Sequence, residues 1–125
     1  MDPSALVKLA IKERGSPELE RRLRGEVLVS SALARVEVGR AIMRTERARP
    51  RAPGSVTGLA TLIDVDEPIL RIAASLDPRK LRTLDAIHLA TALLLADGVD
   101  AFVTYDRQLG VAAAAAGLAV EAPGA

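Results

Sequence analysis

Four acidic residues in this chain stand where a carboxylate has both a local explanation and a chemical use: Asp2, Glu37, Asp85 and Asp106. Asp85 opens the stretch "RTLDAIHLATALLLADG" (82–98), so apolar that only its amino end is expected to reach solvent. A carboxylate in a first helical turn is favoured by the macrodipole and the unpaired N–H groups, and that alone would account for it. Asp106 follows the β-prone run "AFVTY" and could simply cap the next helix. Thr104, two positions earlier on the same strand face, could bond a carboxylate or a metal-bound water, or be an ordinary β-favouring residue. Glu37 lies mid-helix in "ALARVEVGRAI", with Leu33 and Ala41 one turn away on its stripe and Arg40 and Arg44 at i+3 and i+7. It is either half of a surface Glu37–Arg40 pair or an acid at the rim of a site. Asp2 precedes a helix whose first residue is Pro3, so a capping role is available there too. His88, one turn beyond Asp85, reads as a packed or hydrogen-bonded core histidine.

These acids become a set only if the fold brings them together. "PSALVKLAIKERG" runs apolar at 5, 6, 9 and 10 between Pro3 and Gly15, and "SPELERRLRG" repeats the Pro-first, Gly-last formula with Ser16 as cap. A short strand is expected in 26–30, a helix over 31–47 and a Pro/Gly-rich loop over 48–58. Further on, a strand near 61–65, a helix capped by Asp66, the helix of 82–98 ending at Gly98, a strand over 100–105, an Ala-rich helix and a last strand at 118–122 complete the order α–α–β–α–β–α–α–β–α–β. Alternation of this kind implies a central parallel sheet with helices on both faces. Sites in such sheets form beyond the carboxyl ends of the strands, so an acid just after a strand or in the next helix's first turn faces that edge.

Composition limits the chemistry. The 125 residues contain no cysteine and one histidine, which excludes disulfides, thiolate metal sites and a multi-histidine zinc site. Half the residues are hydrophobic and the aromatics are Phe102 and Tyr105 alone, so the expectation is a single globular domain over 1–125 with an aliphatic core. The start has no signal-peptide order and the block "LATALLLA" is too short to span a bilayer, from which a cytoplasmic location is expected. The net charge of +1 supplies no global attraction for nucleic acid. Residues 35–51, however, carry six arginines against two glutamates, enough for either a phosphate-binding surface or a solvated helix face.

Four pieces in fixed order, "DPSALVKL" (2–9), "ARVEVGRA" (34–41), "LDAIHLATAL" (84–93) and "FVTYDRQL" (102–109), resemble the PIN-domain ribonucleases. The resemblance is greatest to the VapC-type toxins of toxin–antitoxin systems, and it covers nearly the whole chain. It implies a three-layer α/β fold and places the family's acidic site on Asp2, Glu37, Asp85 and Asp106, with its small hydroxyls at Ser4 and Thr104. Such a family begins with a short apolar strand leading into the first aspartate, whereas here only Met1 precedes Asp2. Either the natural start lies upstream of Met1 or the first strand is truncated, and its loss is expected to leave a gap in the sheet and let Asp2 fray.

Crowded carboxylates repel one another, and a hard ion with oxygen ligands, Mg²⁺ or Mn²⁺, relieves that repulsion. The resemblance thus implies metal-dependent hydrolysis of RNA phosphodiesters, leaving a 5′-phosphate and a 3′-hydroxyl. Asp2, Asp85 and Asp106 are the expected ligands, Glu37 a further ligand or the orienter of water, Ser4 and Thr104 supports. Arg40 and Arg44 are the candidates for the phosphates of single-stranded RNA. A homodimer is implied as well, and an antitoxin, for which an arginine inserted among the acids would be a sensible inhibitor. Two rivals differ in class. A receiver-type signalling domain would need paired acids after its first strand and a lysine after a late one, and has neither here. A PIN-like module without catalysis, binding RNA or antitoxin, would fail to take up Mn²⁺ through the acids.

Overall fold

The computed structural model describes residues 1–45 and 50–125; Arg47 and Arg49 of the basic segment lie outside them. Among the described residues the order is α1 (Pro3–Ala10), α2 (Ser16–Leu23), β1 (Leu28–Ser31), α3 (Ala34–Arg44), α4 (Pro53–Thr57), β2 (Ala60–Ile63), α5 (Glu67–Ala74), α6 (Thr83–Leu94), β3 (Phe102–Val103), α7 (Arg107–Ala115) and β4 (Val120–Glu121). A single 3₁₀ turn, Ala96–Gly98, follows α6.

The alternation expected from the sequence is present, with two local corrections. Residues 53–57, expected as loop, form a short helix, because Pro53 at its first position is a start signal as well as a breaker. Helix α1 stops at Ala10 instead of running to Gly15. The Lys8 ammonium donates to Arg14 O at 2.6 Å and Ser16 Oγ donates to Lys8 O at 3.0 Å, which folds residues 11–15 back on the helix.

The central sheet differs more. It is two parallel pairs, β1–β2 (Leu28 opposite Ala60 to Ser31 opposite Ile63) and β3–β4 (Phe102 opposite Val120, Val103 opposite Glu121). Met1 and Asp2 lie between them. The Met1 amino group donates to Val29 O at 2.6 Å on one side, and Asp2 N donates to Val103 O at 2.9 Å on the other. Ser30 Oγ also donates to Met1 O at 2.8 Å. Two residues thus occupy the place of a central strand, and beyond Met1 the inner edges of β1 and β3 wall a cavity of about 400 Å³ lined by Leu28, Val29, Phe102 and Val103.

Two apolar clusters hold these pieces. Val103 packs with Leu6, Leu9, Leu19, Val38 and Val56, whereas its neighbour Phe102 packs with Leu89, Leu109 and Ala112. Successive strand residues point to opposite faces, so β3 anchors the α1–α3 side and the α6–α7 side at once. The Thr104–Asp106 segment that follows β3 is fixed by both cores.

Candidate active site

Asp2 does not fray: it is 5% exposed, and its Oδ2 accepts from Ser4 N at 3.2 Å, from Ser4 Oγ, and from Thr104 Oγ1 at 3.1 Å. It caps α1, whose first residue is Pro3. Burial raises its pKa above the ordinary carboxylate value, against the opposing hydrogen bonds from Ser4 and Thr104 and the nearby His88. The same burial lowers the Met1 ammonium to about 6.

The two hydroxyls tie this acid to the next. Ser4 Oγ accepts from Tyr105 N at 3.0 Å, and Thr104 Oγ1 accepts from Asp106 N at 3.1 Å while donating to Asp2. Thr104 is 2% exposed, so this bridge is shielded from water. Asp106 caps α7, its Oδ1 accepting from Leu109 N at 2.9 Å.

Its other oxygen, Oδ2, accepts from the Arg82 guanidinium at 2.8 Å. The same guanidinium donates through Nε to Asp85 Oδ2 at 2.9 Å, which joins the amino end of α6 to that of α7. The two carboxylates keep Arg82 firmly protonated. Glu37 is held from the core side: its Oε2 bonds Nε2 of His88, whose ring is 3% exposed. An ionised carboxylate only accepts, so His88 donates from Nε2. The surface pair with Arg40 is therefore not what engages Glu37.

Three of the four acids, Asp2, Asp85 and Asp106, are joined by one run of bonds, Asp2–Thr104–Asp106–Arg82–Asp85. Glu37 is attached through His88, one helical turn from Asp85. Arg40 and Arg44 are exposed on α3, and among the described residues neither pairs with a site acid. Arg82 and His88 are the members that the sequence did not single out for the site. His88 carried a signal in its i+3 spacing from Asp85, whereas Arg82 had only its place before α6. The donor set is all oxygen, which suits a hard divalent ion. Among the described residues, no three acidic or histidine side chains already form a metal cage, and a guanidinium stands between two of the acids.

The model of the family described as "PIN domain" matches residues 1–115. The chain belongs to the PIN-domain family. Its curated relatives are ribonucleases of Mycobacterium tuberculosis. Ribonuclease VapC46 is 44% identical, covering 98% of this chain and 95% of the relative, and Ribonuclease VapC47 is 38% identical, covering 100% and 96%. Ribonuclease VapC35 is 41% identical over 99% of this chain and 96% of its own length. No solved structure matches. This chain is thus a PIN-domain member of the VapC ribonucleases, and no helix among its described residues is long and apolar enough to cross a membrane.

Proposed function

We propose that this PIN-domain protein is a Mg²⁺- or Mn²⁺-dependent endoribonuclease acting in the cytoplasm as the toxin of a toxin–antitoxin pair. The observation that carries this reading is the bonded run of acids at the amino ends of α1, α6 and α7, in a chain of this family. Asp2, Asp85 and Asp106 would hold the ion. The chemistry an ion supplies there is charge, which acidifies a water and neutralises phosphoryl oxygens.

The chain's own residues do the rest. Ser4 and Thr104 fix the direction of the Asp2 carboxylate, and Asp106 is aimed by its cap to Leu109 N. Glu37, steadied by His88, orients the attacking water for in-line displacement, so that the 5′-phosphate stays on one product and the 3′-hydroxyl on the other. Arg40 and Arg44 supply phosphate contacts along single-stranded RNA. The partners are RNA, a second copy of this chain, and an antitoxin that covers the acids.

The test is cleavage of single-stranded RNA by the purified protein with Mg²⁺ or Mn²⁺, beside EDTA and the Asp106→Ala variant. Cleavage should require the ion and fall to background in the variant. Cleavage that persists in EDTA, or in Asp106→Ala, would refute the reading. Binding of RNA without cleavage would assign the chain to the non-catalytic alternative.

A further inference from the structure

Arg82 is placed to do more than neutralise two acids. Its planar fork spans carboxylates 21 positions apart in sequence, Nε to Asp85 Oδ2 at 2.9 Å and a terminal nitrogen to Asp106 Oδ2 at 2.8 Å. Asp106 has its other oxygen committed to Leu109 N, so Oδ2 is the atom it can offer a cation, and Arg82 holds that atom. An ion taken up by Asp85 and Asp106 therefore meets the Arg82 guanidinium already on both carboxylates, and on Asp106 at the oxygen left for it. The two positive charges repel each other across the shared carboxylates, so uptake of the ion drives Arg82 away.

Arg82 is built to be the one that leaves. It lies just outside α6 in extended backbone (φ −65°, ψ 151°), and its side chain is 66% exposed, against 14% for Asp85 and 26% for Asp106. Its release breaks two solvent-screened ion pairs and no helical hydrogen bond. The acids stay where their helix ends put them. Once released, the guanidinium remains tethered beside the acids, where a phosphodiester has to approach, and its flat array of donors matches two phosphate oxygens.

We propose that Arg82 is the site's internal counter-cation. It holds Asp85 and Asp106 together in the ion-free protein, yields to the divalent ion, and then takes the phosphate of the RNA strand to be cut. The inference rests on the metal-dependent reading above. It is tested by Mn²⁺ binding, followed by electron paramagnetic resonance, on wild type, Arg82→Ala and Arg82→Lys, together with RNA cleavage kinetics on all three.

Loss of two exposed pairs predicts that Arg82→Ala binds Mn²⁺ roughly 3–10-fold more tightly than wild type. The same variant should show a KM for RNA raised several-fold, and Arg82→Lys, which keeps the charge without the fork, should recover part of that KM. Weaker or unchanged Mn²⁺ binding by Arg82→Ala would overturn the proposal, because a residue that merely props the acids predicts that sign. An unchanged KM would remove the phosphate role. If wild type neither binds Mn²⁺ nor cleaves RNA, the metal-dependent function itself falls. If wild type does both and Arg82→Ala binds no more tightly, only the role of Arg82 falls.

Discussion

Replacing Asp2 by Asn separates what the site needs from what the fold needs. The three bonds to Asp2 all reach Oδ2, from Ser4 N, Ser4 Oγ and Thr104 Oγ1, and an asparagine carbonyl can accept all of them. Asparagine is also as good a helix cap as aspartate, so α1 keeps its start. The change is therefore close to removal of one buried charge. The raised pKa of Asp2 shows that burial costs the carboxylate more than its partners return. Stabilising substitutions commonly add about 0.5–2 kcal/mol, so a gain of about 1 kcal/mol is expected in the absence of ion. For a chain of this length that is a rise in Tm of ~4 °C at pH 7. The sign with pH follows from proton binding. A carboxyl whose folded pKa exceeds its unfolded value holds more protons in the native state. Wild-type stability accordingly falls as pH rises from about 4 through the folded value, and the Asn variant lacks this fall. Saturating Mg²⁺ should reverse the order, because an ion at a hundred times its Kd stabilises the protein that binds it by about 2.7 kcal/mol. Thermal melts of both proteins from pH 4 to 8, with and without Mg²⁺, supply the assay. An Asn variant less stable than wild type at pH 7 without ion would refute the reasoning, since the bonds to Oδ2 would then outweigh the buried charge.

Other perturbations reach the same network from different sides. Thr104→Val removes the donor to Asp2 and leaves Asp106 N–H without its acceptor in a site 2% exposed, so melting should reveal a loss of about 1–3 kcal/mol and cleavage should drop, while Thr104→Ser keeps both. A Val variant that melts like wild type would show that the hydroxyl bridge carries no weight. The Met1 ammonium, lowered to about 6 by burial, binds fewer protons in the native state, so stability should rise from pH 6 to 8. Placing about four apolar residues before Met1 turns that ammonium into a strand amide between β1 and β3. It should raise Tm and abolish the pH 6–8 slope, whereas a Gly/Ser extension of equal length should abolish only the slope. Equal Tm for the two extensions would mean that the cavity does not accept a strand.

Helix starts were the most legible part of this sequence, because they are written locally. Pro3, Pro17 and Pro68 in first turns, and Asp2, Asp66 and Asp106 as caps, mark their helices within a few residues. What joins the elements was not local. The pairing of β1 with β2 and of β3 with β4, and the insertion of Met1–Asp2 between them, depend on contacts between distant segments that no short motif encodes. The contrast recurs inside the site. Asp2, Asp85 and Asp106 stood out by their positions at helix starts, and the family resemblance made them a set. The bond from His88 to Glu37 spans 51 residues and that from Arg82 to Asp106 spans 24. An apolar context made His88 look like core, which it also is: its ring is buried while one nitrogen serves the rim.

For Asp2, Asp85 and Asp106 a place at a helix start and a place in the proposed site are compatible. Asp2 and Asp106 accept from the first-turn amides of α1 and α7, and Asp85 lies in the first turn of α6. Three helix amino ends, each carrying partial positive charge, thus lie along one run of bonds. That arrangement lessens the electrostatic cost of gathering carboxylates, since each acid gains from its own helix end before any cation arrives. Arg82 adds a whole charge between two of them. A carboxylate placed for a local reason already points one oxygen inward to its helix and leaves the other for the shared space, as Asp106 does with Oδ1 and Oδ2. In the proposed site the cap is what positions the acid, and substitutions that keep the cap while deleting the charge are the ones that would separate catalysis from folding.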